Sequence, residues 1–360
     1  MSEENKTETA EKKTLKHEKK EREPFIRMIR RPQIPMWKAW AIRLGAILIS
    51  LVFCALVTLL VTGENPFSLY AAMWRGAFGK DYIWSTMQNV AILLCISLAV
   101  TPAFKMHFWN TGAEGQTLIA ALATAMCMFF LGDVLPTWLL FVVMIAASIL
   151  AGILWAVIPA VFKAQWNTNE TLFTLMMNYV AVYIIQYLRE GPWINPANTG
   201  FPQIARFDTA ARLPKVFGVH IGWIVALVLV GVMYFYLNRT KQGYEISVVG
   251  ESQPTAKYAG INVGRIIMRT MFLSGALCGI AGMLQVTGAD HTLVETVAGG
   301  VGFTAITVAW LGNLNPVAML VTTFLFSILD KGSNSIQTVF AISNAAAEVL
   351  TGIILFFMLG

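Results

Sequence analysis

Long apolar runs with few or no charges alternate with short polar breaks from about residue 40 to the end of the chain. They fall at 40–62, 86–104, 113–131, 137–162, 171–188, 217–238, 269–288, 299–313, 316–329 and 343–359. A helix needs about 20 apolar residues to cross the hydrocarbon core of a bilayer, so the pattern predicts an all-α polytopic membrane protein with about ten transmembrane helices. The pair on either side of Asn313-Leu-Asn-Pro316 is short for full crossings. Breaks so closely spaced are tolerated where protein or a water-filled cavity covers the exposed backbone.

Composition agrees with that class. The chain has 360 residues, 56% of them hydrophobic and 13% charged, with a mean hydropathy of +0.63. A soluble chain of this length carries far more charge, so the excess apolar surface must face lipid. Residues 1–38 are a different material, dense in Lys and Glu through Lys12-Lys-Thr-Leu-Lys-His-Glu-Lys-Lys-Glu-Arg22, with Arg27, Arg30 and Arg31 beyond. They read as a disordered or fraying cytoplasmic tail, because Lys and Arg beside a first span favour retention on that side. The charged region is too long for a secretory signal, and the first apolar run has no small-residue cleavage site after it. Residues 39–360 form the transmembrane domain.

An inside N-terminus and ten spans fix the side of every connection. Residues 239–265, with Arg239, Lys241, Lys257 and Arg265, fall in the cytoplasm together with the C-terminus. Residues 189–216 become the longest outward loop and the expected landing site for an external protein. Arg206 and Arg212 lie in it, and His291 and Glu295 fall near the same surface. Asp290, His291 and Glu295 also admit a metal reading, since positions i and i+4 share a helix face, but no second cluster completes a site. Cys54, Cys95, Cys127 and Cys278 all sit inside apolar runs and read as packing residues.

The segment from Asn238 to Arg265, between two spans, is too compact and too rich in Gly and Ala for a passive linker. Within it, Gly250-Glu251 and Ala256-Lys257-Tyr258-Ala259-Gly260-Ile261-Asn262 resemble the cytoplasmic coupling segment of permease subunits from ABC importers for simple sugars and nucleosides, the branched-chain amino acid/ribose-like permease family. Three further stretches carry the same resemblance. Phe108-Trp-Asn-Thr-Gly-Ala-Glu-Gly-Gln116 is similar to the family's Asn-x-Gly-x-Glu-Gly-Gln signature. Asn169-Glu170, followed by Asn178-Tyr179, is similar to its paired Asn-Glu and Asn-Tyr, and Gly299-Gly-Val-Gly-Phe-Thr304 to its Gly-x-Gly-Phe-Thr segment. The similarity covers about residues 45–360 and leaves only the basic tail outside.

Local physics explains part of each stretch without the family. Thr111 with Glu114, and Asn167 with Glu170, have the spacing of capping boxes. Glu114 is then a structural cap or a group on the solute route, and both readings stand. Asn178 lies well inside its helix, where an amide must either bond a neighbouring helix or face a wet cavity. Gly275, Gly279 and Gly282 are spaced to bring helix backbones together, with Gln285 one turn on. Gly299–Ile306 matches Gly112–Ile119 at two glycines, a threonine and an isoleucine, a weak sign of an internal repeat with the route between halves. Glu348 is an intramembrane carboxylate and a candidate by default.

The resemblance implies a type II importer-like fold, with the coupling segment between spans six and seven and no enzyme activity in this chain. Gly250, Glu251, Ala256, Lys257, Tyr258, Ala259 and Gly260 would couple to a separate ABC ATPase subunit. Asn110, Glu114, Gln116, Asn178, Gln285 and Phe303 would line the route. Arg206, Arg212, His291 and Glu295 would meet an extracytoplasmic solute-binding protein. A second permease chain, identical or paralogous, completes the route, and the expected location is the bacterial cytoplasmic membrane. This chain has no Gly-x4-Gly-Lys-Ser/Thr loop, so no cofactor is expected on it, and ATP and Mg belong to the partner. No nucleic-acid partner is expected. The solute expected is neutral and hydroxylated, with nucleosides favoured and simple sugars as the alternative. An ion-coupled carrier would instead need Glu114 or Glu348 to exchange protons, and a membrane scaffold would use Asn178 and Gln285 only for packing.

Overall fold

The computed structural model describes residues 45, 48–57, 59, 63, 65–80, 82–195, 204, 212–293, 299–341, 343, 349, 352, 353 and 356. The acidic and basic tail, Arg206, Glu295 and Glu348 lie outside the described residues. The chain divides into two units at residue 49. Gly45, Leu48 and Ile49 are the described residues of the first unit, and all three are helical.

Nearly everything described in the second unit is helix. A short apolar helix α1 runs over Leu48–Val57. It is followed by α2 (Pro66–Phe78), α3 (Ile83–Lys105), α4 (Ala113–Leu131), α5 (Thr137–Trp166) and α6 (Glu170–Glu190). A two-stranded antiparallel hairpin, β1 (Lys215–Val216) and β2 (Val219–His220), leads into α7 (Gly222–Arg239). Then come α8 (Lys241–Glu251), α9 (Gln253–Tyr258), α10 (Val263–Leu284), a π-helical turn at Gln285–Asp290, α11 (Val301–Leu311) and α12 (Pro316–Phe340).

Among the described residues, six helices are long and apolar enough to cross a membrane: α3, α4, α5, α6, α7 and α10 continued through its π turn. That differs from the ten spans the apolar runs suggest. α11 is only 11 residues long, α1 is described over only part of its run, and 343–359 is mostly outside the described residues. The run at 316–329 belongs to a longer helix that continues through polar residues to Phe340. The 13-residue α2 was not visible as an apolar run, because Ser68, Arg75 and four small residues interrupt it.

The polar breaks end one helix and start the next. Asn65, Asn169, Thr240, Ser252, Asn262 and Asn315 each accept a hydrogen bond from a backbone N–H in the first turn that follows. Pro66 and Pro316 stand at first helical positions, where a missing N–H loses nothing. Asn167 is not the cap of α6. It closes α5 in a left-handed conformation (φ 49°), and Asn169 caps α6 instead. Glu170 does not bond back into a capping box either, but pairs with Lys163 at 2.9 Å.

α3, α4 and α10 make the buried centre, while α5, α6 and α7 turn most of their surface outward. Close approach of α5 and α10 depends on small residues. A Cβ at Gly152 would strike the Gly275 carbonyl, one at Gly275 the Gly152 carbonyl, and one at Gly279 the Ser148 carbonyl. The glycine spacing predicted close approach at this helix without naming its partner, and helices in lipid use it because van der Waals packing helps hold them together there. Hydroxyls inside the spans fold back on their own helices: Ser97 donates to Leu93, Thr101 to Ser97 and Thr124 to Ala120. Hydroxyls bonded in this way need no water.

Candidate functional site

Two first turns meet in the interior, those of α4 and α11. The Glu114 carboxylate does not cap its own helix. Its Oε1 accepts from the Gly300 amide at 2.8 Å and its Oε2 from the Gly302 amide at 2.7 Å, so it caps α11 from 186 residues away. Both oxygens act as acceptors. Free amides and the positive end of a helix dipole are what such a group needs, since the side chain is only 7% exposed. Gly302 must be glycine for this to form, because a Cβ there would overlap the backbone of Glu114. The Thr111–Glu114 capping box expected from spacing is therefore absent, and α4 has no side-chain cap at Gly112.

Asn178 of α6 secures the other first turn. Its Oδ1 accepts from the Gly115 amide at 2.9 Å and its Nδ2 donates to the Thr111 carbonyl at 2.9 Å. Of the two readings open for this amide, the geometry has the bond to a neighbouring helix, with the side chain buried. Thr111 Oγ1 donates to the Thr171 carbonyl at 3.1 Å and lies 3.0 Å from Thr174 Oγ1, fixing the same pair of segments. Asn110 completes the cluster. Its Oδ1 accepts from the Gly112 amide at 3.1 Å and from Gln116 Nε2 at 3.3 Å, and its Nδ2 donates to Ser274 Oγ at 3.1 Å on α10. Asn110, Glu114, Gln116 and Asn178 are thus brought together as one clasp joining α4, α6, α10 and α11. Phe303 follows Gly302 at its edge and is exposed.

Gln285 lies elsewhere, at the start of the π turn, where its Nε2 donates to Asp290 Oδ2 at 2.7 Å. His291 closes that turn in a left-handed conformation (φ 56°), and position 295 lies outside the described residues. The buried His220 was not singled out in the sequence. Its ring lies against Gly288, where a Cβ would meet it, and its Nδ1 accepts from the Gly222 amide at 3.1 Å. Burial, with His291 as a second cause, pushes this imidazole down from 6.5 to about 4. Arg212 is half-buried on the approach to β1.

The second set of residues is held quite differently. α8 packs against the end of α3, where a Cβ at Gly250 would strike the Lys105 carbonyl. Gly250 and Ala256 are buried, so they form the base of this segment and not its surface. Glu251, Lys257, Tyr258, Ala259 and Gly260 are exposed, Tyr258 at 94%. Gly260 turns the chain back with φ 75°. Beside them, Lys241, Tyr244, Glu245, Arg265 and Arg269 border a polar concavity of about 600 Å³. Glu245 there is paired with Arg269 at 3.5 Å. Sequence reasoning grouped the buried and exposed residues of this segment as one surface. The signal that separates them is helical phase, which sets Gly243, Ile246, Val249 and Gly250 on the inner side of α8.

Residues 82–359 match the family model described as branched-chain amino acid transport system / permease component. The chain is similar to a glucose ABC transporter permease protein of Haloferax volcanii, with 29% identity covering 91% of this chain and 89% of that protein. It is similar to a guanosine ABC transporter permease protein of Bacillus subtilis, with 30% identity covering 87% and 91% respectively. A nucleoside ABC transporter permease protein of Lactococcus lactis is 26% identical over 86% of this chain and 89% of its own length.

Proposed function

This chain belongs to the branched-chain amino acid transport system / permease component family, as a permease of the sugar and nucleoside ABC importers, and we propose that it forms one half of an ATP-driven route for a neutral hydroxylated solute. Nucleosides are the solute favoured. The relatives named for guanosine and for nucleosides support that choice, and the relative named for glucose keeps simple sugars as the second reading. ATP and Mg are used by a separate ATPase subunit. A second permease chain lies across the route, and a solute-binding protein delivers cargo outside near Arg206, Arg212, His291 and Glu295. In this reading the protein is a multi-pass component of a cytoplasmic membrane, with both termini and residues 239–265 inside.

The observation that carries the proposal is the open face of α9 on a rigid base. Lys257 and Tyr258 project from a helix whose underside is fixed through Ala256, and whose neighbour α8 is seated on the end of α3 through Gly250. A push on α9 is therefore delivered to α3, the most buried span. The clasp would carry the motion onward, because Glu114 and Asn178 tie the first turns of α4 and α11 to α6. α11 is a short helix of 11 residues, and such discontinuous helices are a recurring part of solute sites that open alternately to the two sides. Glu114, with both oxygens held by amides, is poorly placed to exchange protons as an ion-coupled carrier requires.

The coupling assignment is tested by co-purification of the ATPase with the permease. Lys257→Glu or Tyr258→Ala should release the ATPase while the permease still folds and the binding protein still holds its solute. Full retention of the ATPase in both variants would remove the assignment. Competition of labelled guanosine uptake by unlabelled nucleosides against hexoses decides between the two solutes.

A further inference from the structure

α6 has two unlike faces. Thr174, Asn178, Ala181 and Ile185 are buried, and α6 packs mainly on α4. On the opposite face Met176, Tyr179, Tyr183 and Tyr187 are exposed. Residues four apart stack along a helix, so the three tyrosines form one row through the outer half of the helix. Among the described residues none is hydrogen-bonded to their hydroxyls.

α5, which precedes α6 in the chain, shows what a lipid-facing surface looks like here. Its exposed residues Val142, Ile145, Leu150, Leu154 and Ile158 are pure hydrocarbon, with Trp138 at one end and Trp166 at the other. Hydrocarbon between two tryptophan ends is the pattern of a span against acyl chains with aromatics at both interfaces. Tyr187, near the end of α6, fits such a belt, but phenols well inside the span, at Tyr179 and Tyr183, do not fit acyl chains, because hydrocarbon offers a hydroxyl no partner.

The row begins at the depth of the clasp, on the other face of α6. Tyr179 directly follows Asn178, which is bonded to Gly115, and the exposed Phe303 directly follows Gly302, which is bonded to Glu114. Toward the start of α6 the same face bears a concavity of about 340 Å³ whose lining includes Asn169, Leu172, Met176 and Val180.

We propose that Tyr179, Tyr183 and Tyr187 form the solute-contacting wall of the route, fitted to a neutral cargo that has both a flat or apolar ring face and hydroxyl groups. The rings stack on the face of the cargo, and each phenol both donates to and accepts from its hydroxyls or base edges. This wall rests on the reading of the chain as half of a solute route, and it adds the side of α6 that faces the route.

The test uses the assembled transporter in membrane vesicles, with the ATPase and binding protein present. The four native cysteines are all buried, so the background is low. Tyr179→Cys, Tyr183→Cys and Tyr187→Cys are compared with Leu150→Cys and Leu154→Cys for reaction with a charged methanethiosulfonate. Only a wet thiol ionises and reacts, so the α6 positions should be modified on the order of 10-fold faster than the α5 positions. Addition of solute-loaded binding protein and ATP should change the α6 rates and leave the α5 rates alone. Tyr183→Phe should raise KM for uptake with kcat little changed.

Rates on α6 as slow as those on α5 would overturn the wall in favour of lipid. Disulfide formation between two copies at position 183 without reagent access would overturn it in favour of packing between permease chains. ATP-dependent uptake by the unsubstituted protein is measured in the same vesicles. If it persists while the α6 thiols stay unreactive, the wall fails and the transporter reading stands.

Discussion

The clasp at Glu114 and the open helix α9 use polar residues in opposite ways. At the clasp most strong groups bond inside the chain: Glu114 to two amides, Asn178 to an amide and a carbonyl, and Asn110 to three partners, while Gln116 Oε1 is buried with no partner among the described residues. On α9, Lys257 and Tyr258 project fully, while Ala256 and Gly250 hold the base. A satisfied buried network fixes one arrangement of helices, and an exposed row of side chains on a fixed base is available to another surface. One region therefore governs whether the fold stands, and the other governs what the fold can be made to do.

Substitutions should separate the two regions, and their effects on folded stability rank as follows. Glu114→Ala removes two charge-assisted bonds and leaves the Gly300 and Gly302 amides unpaired in the interior, a loss of about 3–5 kcal/mol. It should nearly abolish folded protein in detergent, as read by size-exclusion profile and thermal midpoint. Glu114→Gln keeps one acceptor but turns a donor toward an amide, and should fall in between.

Asn178→Ala deletes two bonds from neutral groups and opens a small cavity, at about 1–3 kcal/mol, with a lowered midpoint and partial uptake. A stability as low as that of Glu114→Ala would mean that α6 and not α11 anchors the clasp.

The pH dependence is smaller. The His220 imidazole has its value lowered from 6.5 to about 4, so the unfolded chain binds its proton first. Its contribution to stability is therefore complete above pH 6.5 and is lost as pH falls toward 4. The thermal midpoint should drop over that window, and His220→Gln should flatten the drop.

The smallest change in stability belongs to α9. Tyr258→Ala and Lys257→Ala should leave the midpoint within about 0.5 kcal/mol of the original, as exposed positions do. Uptake should nevertheless fall with ATPase retention. Gly250→Leu, by contrast, should unseat α8 from Lys105 and destabilise the protein. Replacing the whole segment would mix these two effects.

Much of the architecture was legible in the apolar runs, and the reason is length. α4 occupies Ala113–Leu131, the same bounds as its apolar run, and α5 starts at the Thr137 that opens its own. Close backbone approach by α10 was legible too, because glycines four apart have few other uses in a span, but its partner α5 was not. Elements set by packing were hidden. α2 is too short and mixed to show as a span, and polar residues disguise the second half of α12. Capping was misassigned where spacing alone was used. Asn167 and Asn169 are both good caps in sequence, and only the left-handed turn at Asn167 tells them apart. For Glu114 the local rule pointed to Thr111, while the real partners are the amides of Gly300 and Gly302. The glycines of that distant segment were the available signal, since a helix start without side chains leaves its amides free for a carboxylate from elsewhere.

The central claim is that this permease has no energy source of its own and is driven through α9. The direct measurement is uphill accumulation of labelled guanosine in sealed vesicles reconstituted with the permease, its partner ATPase and its binding protein. The account predicts accumulation that requires ATP and the ATPase and disappears in Tyr258→Ala. Accumulation by the permease alone on a proton or sodium gradient would contradict it.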